Sequence, residues 1–184
     1  MSERDRERWD HKWRQFGAAP DPSPLLMMHR QRLPPTGVAL DVACGLGQNS
    51  VWLAQHGYRV LGVDISLVAL RAAQALARQA GVAKRVALAQ VDLDGWRPAP
   101  DSVDILCVFR FLDRELVPAL LRAVRPQGIA FYLTRNQGIL RRRPEASRSY
   151  LLAKDELLGF FAGWEIRYHQ EGEVNTALVA CRQG

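Results

Sequence analysis

Three aspartates and two glycines are the residues best placed to do chemistry. Asp41, Asp64 and Asp92 each close an apolar run, in "LDVACGLGQNSVW" (40–52), "YRVLGVD" (58–64) and "RVALAQVD" (85–92). Gly45 and Gly47 follow Asp41, one residue apart. Glycine lacks a Cβ, so backbone there can approach a ligand and adopt positive φ. The helix that begins near Gln48 adds unpaired N–H groups. Asp64 stands 19 residues after Gly45. A carboxylate there can accept from both ribose hydroxyls, a geometry shared by dinucleotide and nucleoside sites. Asp92 can face an adenine amino group while the N–H of Leu93 meets a ring nitrogen. Phe109 closes a fourth apolar run and can wall the same pocket. One such aspartate could equally serve a turn or a cap. Three at equivalent topological positions argue for a shared site.

The turn also discriminates among nucleotides. A dinucleotide fingerprint reads G-x-G-x-x-G, with phosphate on the helix N-terminus. Here the third glycine is Ser50, and Asp41 is an awkward neighbour for a pyrophosphate. A carboxylate suits a ligand that carries ammonium and sulfonium charge. No G-x-x-x-x-G-K-[ST] is present, which argues against a nucleotide triphosphatase.

The elements that must position these residues alternate along the chain. "GVALDVA" (37–43), 58–64, 85–92, "VDILCVF" (103–109) and "IAFYLT" (129–134) read as strands. Their near-continuous apolar character is that of buried parallel strands. Helices fall between them, over 47–57, after the N-cap Ser66 up to Gly81, and over 113–124, where Pro118 marks a kink or a boundary. Strand–helix alternation with short connections implies right-handed βαβ units. The tail departs from it. Residues 153–163 read as a helix and 164–181 as two strands around a Glu-Gly-Glu turn. The expected fold is α/β, Rossmann-like and doubly wound, with a mostly parallel sheet and an antiparallel C-terminal hairpin.

Before the first strand, residues 1–16 read as a charged helix with Trp9, Trp13 and Phe16 on one stripe. The loop-forming "AAPDPSP" and a short helix follow, closed by Pro34 and Pro35. The expected division is an N-terminal helical segment and linker over 1–35, whose stripe docks on the core or acts as a lid, and one domain over 36–184. The 184 residues suit a single sizeable core. No apolar run approaches the roughly 18 residues of a membrane span. The charged start lacks a secretory h-region. Cys44, Cys107 and Cys181 form neither a disulfide framework nor a metal pair. Together these point to the cytoplasm. The net charge of +6 permits an acidic partner. Nucleic acid is disfavoured, because aromatic residues do not interleave the basic run Arg141–Arg143. That run reads as a solvated face, or else as a gate for an anionic acceptor.

The segments 40–66, 90–96, 103–113 and 124–134 resemble class I S-adenosylmethionine-dependent methyltransferases, and in look the small bacterial tellurite-resistance or thiol-methyltransferase type. The family's first turn is D/E-x-G-x-G-x-G. Gly45 and Gly47 match its last two glycines, and Ala43 replaces the first. The resemblance implies a seven-stranded sheet and S-adenosylmethionine as cofactor. It implies Asp41 near the methionine amino end, with Ala43, Cys44, Gly45 and Gly47 around the methionine moiety. Asp64, with Ile65, would bind the ribose, and Asp92 and Leu93 the adenine. Phe109 and Arg110 would line the methyl-donor side. Related enzymes often carry a Tyr and a basic residue in the N-terminal helix, where this chain has Trp13 and Arg14.

Methyl transfer from a sulfonium is an in-line displacement with a neutral leaving group, so no acid is required. Positioning out of water supplies much of the acceleration. A base is needed only for a protonated acceptor. His11, His29, His56 and His169 are scattered, and none reads as a convincing base. His11, beside the Trp stripe, is the one that could face the pocket, and His56 reads as a C-cap. Cys44 reads as a small buried residue. No metal ligand set and no catalytic residue is identified. The reading is a methyltransferase acting on a small-molecule acceptor, as monomer or homodimer. The alternatives are a non-catalytic S-adenosylmethionine-binding domain and a nicotinamide-dependent oxidoreductase.

Overall fold

A computed structural model describes residues 3–15, 17 and 19–184. Phe16 lies outside the described residues. Seven strands form one sheet in the order β3-β2-β1-β4-β5-β7-β6. The chain divides into two compact units, Met1–Arg97 and Pro98–Gly184.

The first unit holds the parallel strands β1 (Val38–Val42), β2 (Arg59–Asp64) and β3 (Val86–Gln90), with β2 between the other two. Ala39, Leu40, Val42, Val60 and Val63 are buried, as the apolar runs require. Helices α3 (Gln48–Gln55) and α4 (Leu67–Gln79) pack on these strands and on each other. Ser66 caps α4 as expected, its hydroxyl accepting from the N–H of Ala69 at 3.1 Å. Ala69, Leu70, Ala73 and Ala77 form its buried face. His56 closes α3, and its Nδ1 lies 2.7 Å from the carbonyl oxygen of Trp52. Helix α1 (Glu3–Arg14) buries no residue and rests against α4. The short helix α2 (Pro24–Met28) is joined to α3 where the N–H of Ser23 donates to Asn49 Oδ1 at 2.8 Å.

The expected third strand ended at Asp92, but β3 stops at Gln90. Asp92 Oδ1 instead accepts from the N–H of Asp94 at 3.1 Å, a local turn that competes with strand pairing.

The second unit holds β4 (Val103–Phe109), β5 (Val124–Arg135), β6 (Glu165–Glu171) and β7 (Asn175–Cys181). β4 and β5 are parallel, and β7 pairs antiparallel with both β5 and β6. The expected hairpin is present, closed where the N–H of Gly172 donates to the Asn175 carbonyl at 2.9 Å. Two boundaries differ from expectation. Helix α5 (Val117–Ala123) begins four residues late, with Pro118 in its first turn. Asp113 Oδ1 accepts from the N–H of Glu115 at 2.9 Å and holds the preceding residues in a turn. β5 begins at Val124 rather than Ile129, because "RPQG" is carried as an irregular strand start. Val124 pairs with Val103, Gln127 takes a φ of 65°, and its N–H donates to the Arg182 carbonyl at 2.9 Å. Helix α6 (Glu156–Phe160) is shorter than expected and is tied to Arg114. That guanidinium donates to both Glu156 carboxylate oxygens, at 2.5 and 2.9 Å, and to the carbonyls of Ser149 and Leu151.

Candidate functional site

The carboxyl ends of β1 and β2 bring Asp41, the glycine turn and Asp64 together. Asp41 is 1% exposed and Asp64 6% exposed. Ser50, wholly buried on α3, donates its hydroxyl proton to Asp41 Oδ2 at 2.6 Å. Asp64 is held by backbone. Its Oδ2 accepts from the N–H of Gly45 at 2.8 Å, and its Oδ1 from that of Ser66 at 2.9 Å. One carboxylate therefore fixes the start of the turn that the other precedes.

The turn has no room for a side chain at Gly45 or Gly47. Ala43, Gly45 and Gly47 have φ values of 52°, 55° and 76°, all left-handed. A Cβ on Gly47 would lie 2.6 Å from the Cβ of Ala73 on α4. A Cβ on Gly45 would lie 3.0 Å from the indole of Trp13 on α1. Cys44 is buried, its N–H donating to the Val63 carbonyl at 3.0 Å and its Sγ lying against Gly62. That packing is the small-residue role expected of it.

The electrostatics favour a cation. Burial pushes the Asp41 carboxyl up to about 7; the charge of Asp64 adds to this and the Ser50 hydrogen bond opposes it. Burial also raises the Asp64 carboxyl, against its backbone N–H bonds, and Asp10 adds a smaller upward push. The Cys44 thiol is raised well above its ordinary value by burial, then by Asp41 and Asp64, so it stays protonated. Among the described residues, no basic side chain forms an ion pair with Asp41 or Asp64.

The remaining expected residues lie as follows. Ile65 is buried beside Asp64. Asp92 is exposed on its turn beyond β3, while the Leu93 side chain is wholly buried. Phe109 ends β4 half-buried. Arg110 follows it, exposed, in the left-handed region at φ 60°, with its N–H donating to Leu133. Trp9 and Trp13 stack with centroids 6.1 Å apart, and Lys12 Nζ sits 4.1 Å above the Trp9 ring. Arg14 is exposed at the end of α1. His11 is exposed, with Nε2 2.9 Å from the Gln15 side-chain amide. In the basic run, Arg142 forms an exposed ion pair with Glu173 at 2.8 Å.

Two participants escaped the sequence reading. Ser50 registered only as a missing glycine, yet it is the partner of Asp41. Asp10 went unremarked, yet its Oδ1 accepts from the Ser66 hydroxyl and, at 3.3 Å, from the N–H of Val68. The signal for Asp10 was its place three residues before Trp13, on one helix face.

Residues 39–128 match the family model described as a methyltransferase domain. Residues 39–128 carry a methyltransferase domain. This methyltransferase domain is similar to the thiopurine S-methyltransferase of Bordetella petrii, with 32% identity over 136 residues, covering 67% of this chain and 62% of that protein. The chain spans less than two thirds of the length of the first curated relatives it matches, from 17% to 62%. In fold it is similar to TehB from Haemophilus influenzae, with a TM-score of 0.72 and 15% identity over 96% of this chain and 67% of that one. It is also similar to a structure concerned with conversion of a disulfide bond into a thioacetal group during echinomycin biosynthesis. There the TM-score is 0.72, with 24% identity over 97% of this chain and 93% of that one. Such likenesses establish the seven-stranded α/β fold of the methyltransferase domain.

Proposed function

We propose that this chain transfers a methyl group from S-adenosylmethionine to a small-molecule acceptor. The observation that carries the reading is the pair of buried carboxylates, without a basic partner among the described residues, beside a turn that leaves no room for a side chain at Gly45 or Gly47. Burying two acids together is costly unless something compensates for their charge. The compensating ligand is cationic, and its adenosine portion needs a ribose acceptor such as Asp64. A pyrophosphate would meet Asp41 with like charge. The Ser50 hydroxyl, a donor that a phosphate would need, is already spent on Asp41.

In this reading Asp41 draws the amino end of the methionine moiety, and Ala43, Cys44, Gly45 and Gly47 surround it. Asp64 and Ile65 hold the ribose, Asp92 and Leu93 the adenine, and Phe109 and Arg110 line the methyl side. Residues 1–35 form the N-terminal segment, with Trp9, Trp13 and Arg14 as lid residues, and 36–184 the domain. The donor supplies an electrophilic methyl carbon with a neutral leaving group. The chain's own residues bind, orient and exclude water, which is the larger part of what such a displacement needs. An acceptor that is already anionic, a thiolate or an oxyanion of selenium or tellurium, requires no base. The sulfur methyltransferase among the relatives supports that class.

The test is a transfer assay with methyl-labelled donor over thiols, selenium and tellurium oxyanions, and RNA. Label should appear in a small molecule. Label found only in RNA would reverse the acceptor assignment.

A further inference from the structure

We propose that α1 is a gate on the donor site, latched shut by Asp10, so that the donor enters only when the helix lifts. This rests on the donor reading above. Two residues on one face of α1 touch the two strand exits that the donor must reach. Trp13 lies on the first exit, where its indole carbons stand 3.0 and 3.2 Å from the position a Cβ would take on Gly45. Asp10 lies on the second, where its carboxylate accepts from the Ser66 hydroxyl and the Val68 N–H, two and four residues past Asp64.

With the helix down, Gly45 is buried and Asp64 is 6% exposed. A ribose hydroxyl must come within about 3 Å of a carboxylate oxygen to donate to it. Asp64 is closed to that approach from solvent.

The latch is also built to open. α1 buries no residue, and both its tryptophans are only half-buried. Few buried apolar contacts mean a low local opening free energy. Asp10 brings a third negative charge towards Asp64 and so works against its own docking. The hold includes the two hydrogen bonds to Asp10 and the Trp13 indole face over Gly45. Asp10 is thus a positioning residue for donor entry rather than a donor contact.

A gate and a contact have different kinetic signatures. Removing a contact speeds dissociation alone. Loosening a gate speeds both entry and exit and leaves the equilibrium less changed. The experiment is stopped-flow tryptophan fluorescence with S-adenosylmethionine, on the wild-type chain and on Asp10→Ala, with calorimetric titration of both. In the wild type the observed rate should level off with donor concentration, at the opening rate of the helix. Asp10→Ala should raise association and dissociation each by about fivefold or more, with Kd moving by less than either. Trypsin should cut after Lys12 or Arg14 faster in the variant while the rest of the chain stays intact, which confirms that the helix and not the fold has loosened. Unchanged rates, or faster dissociation alone, overturn the gate. Absence of binding heat in both proteins overturns the donor reading itself, and the gate with it.

Discussion

At the residue scale, the account turns on a carboxyl that is costly to ionise. Burial pushes the Asp41 carboxyl up to about 7 in the folded chain, from an ordinary value near 3.8. A proton is therefore bound more tightly folded than unfolded. Its contribution to stability is complete below about pH 4 and is lost as the pH rises through 7. Asp41→Asn keeps the oxygen that accepts from Ser50 and removes the titration. Denaturant midpoints should show the variant gaining on the wild type between about pH 4 and 7, by a few kcal/mol, and holding that gain above. Cys44 and Asp64, the other titratable groups facing Asp41, are common to both proteins. A cationic donor reverses the preference by favouring the ionised carboxylate. Wild-type donor affinity should therefore rise between about pH 6 and 8, by up to tenfold per unit below the midpoint, and that of Asp41→Asn should not. The same affinity slope in both proteins would separate Asp41 from the donor. Asp41 itself was legible in the sequence as a charge before a glycine turn. The partnership with Ser50 was not, because the pattern marks that position only by the glycine it lacks. The contact depends on how α3 is set against β1.

At the element scale, the glycine turn is a joint between α3 and α4. Gly47 is left-handed and meets Ala73 with no room for a methyl group. Gly47→Ala should cost about 3 kcal/mol, the sum of left-handed strain and overpacking. Adding Ala73→Gly should return the overpacking part and leave the backbone part. Urea titrations of both variants check the split, and identical losses in the two would mean that α4 is not what excludes the side chain. Gly45 and Gly47, the cap at Ser66 and the stop at Gly81 were readable because each is a local requirement of backbone geometry. Helix α1 was readable as a helix with one apolar stripe, though its docking partners were not. Its Trp stripe predicts a face that docks or closes, but not the partners that Asp10 and Trp13, three residues apart, find on Ser66, Val68 and Gly45. The start of β5 was misread for a related reason. "RPQG" is a turn by local preference, and pairing of Val124 with Val103 overrides it.

At the scale of the whole molecule, strand–helix alternation followed by a hairpin was enough to foresee the mostly parallel sheet with an antiparallel edge, because buried parallel strands and exposed hairpins carry different residue patterns. The donor was similarly legible, since the motifs that point to it lie close together in sequence. The acceptor was not. Residues such as Arg110 and Arg141–Arg143 fit several chemistries by type, so they name no acceptor. The central claim, that two buried carboxylates flank a pocket for a cationic nucleoside, concerns the donor and can be tested without knowing the acceptor. Isothermal titration of the full chain with S-adenosylmethionine, S-adenosylhomocysteine and NAD is the most direct measurement. The account predicts saturable binding of S-adenosylmethionine and S-adenosylhomocysteine, lost or weakened at least tenfold in Asp64→Ala, and no comparable binding of NAD. Tight NAD binding without S-adenosylmethionine binding would contradict it.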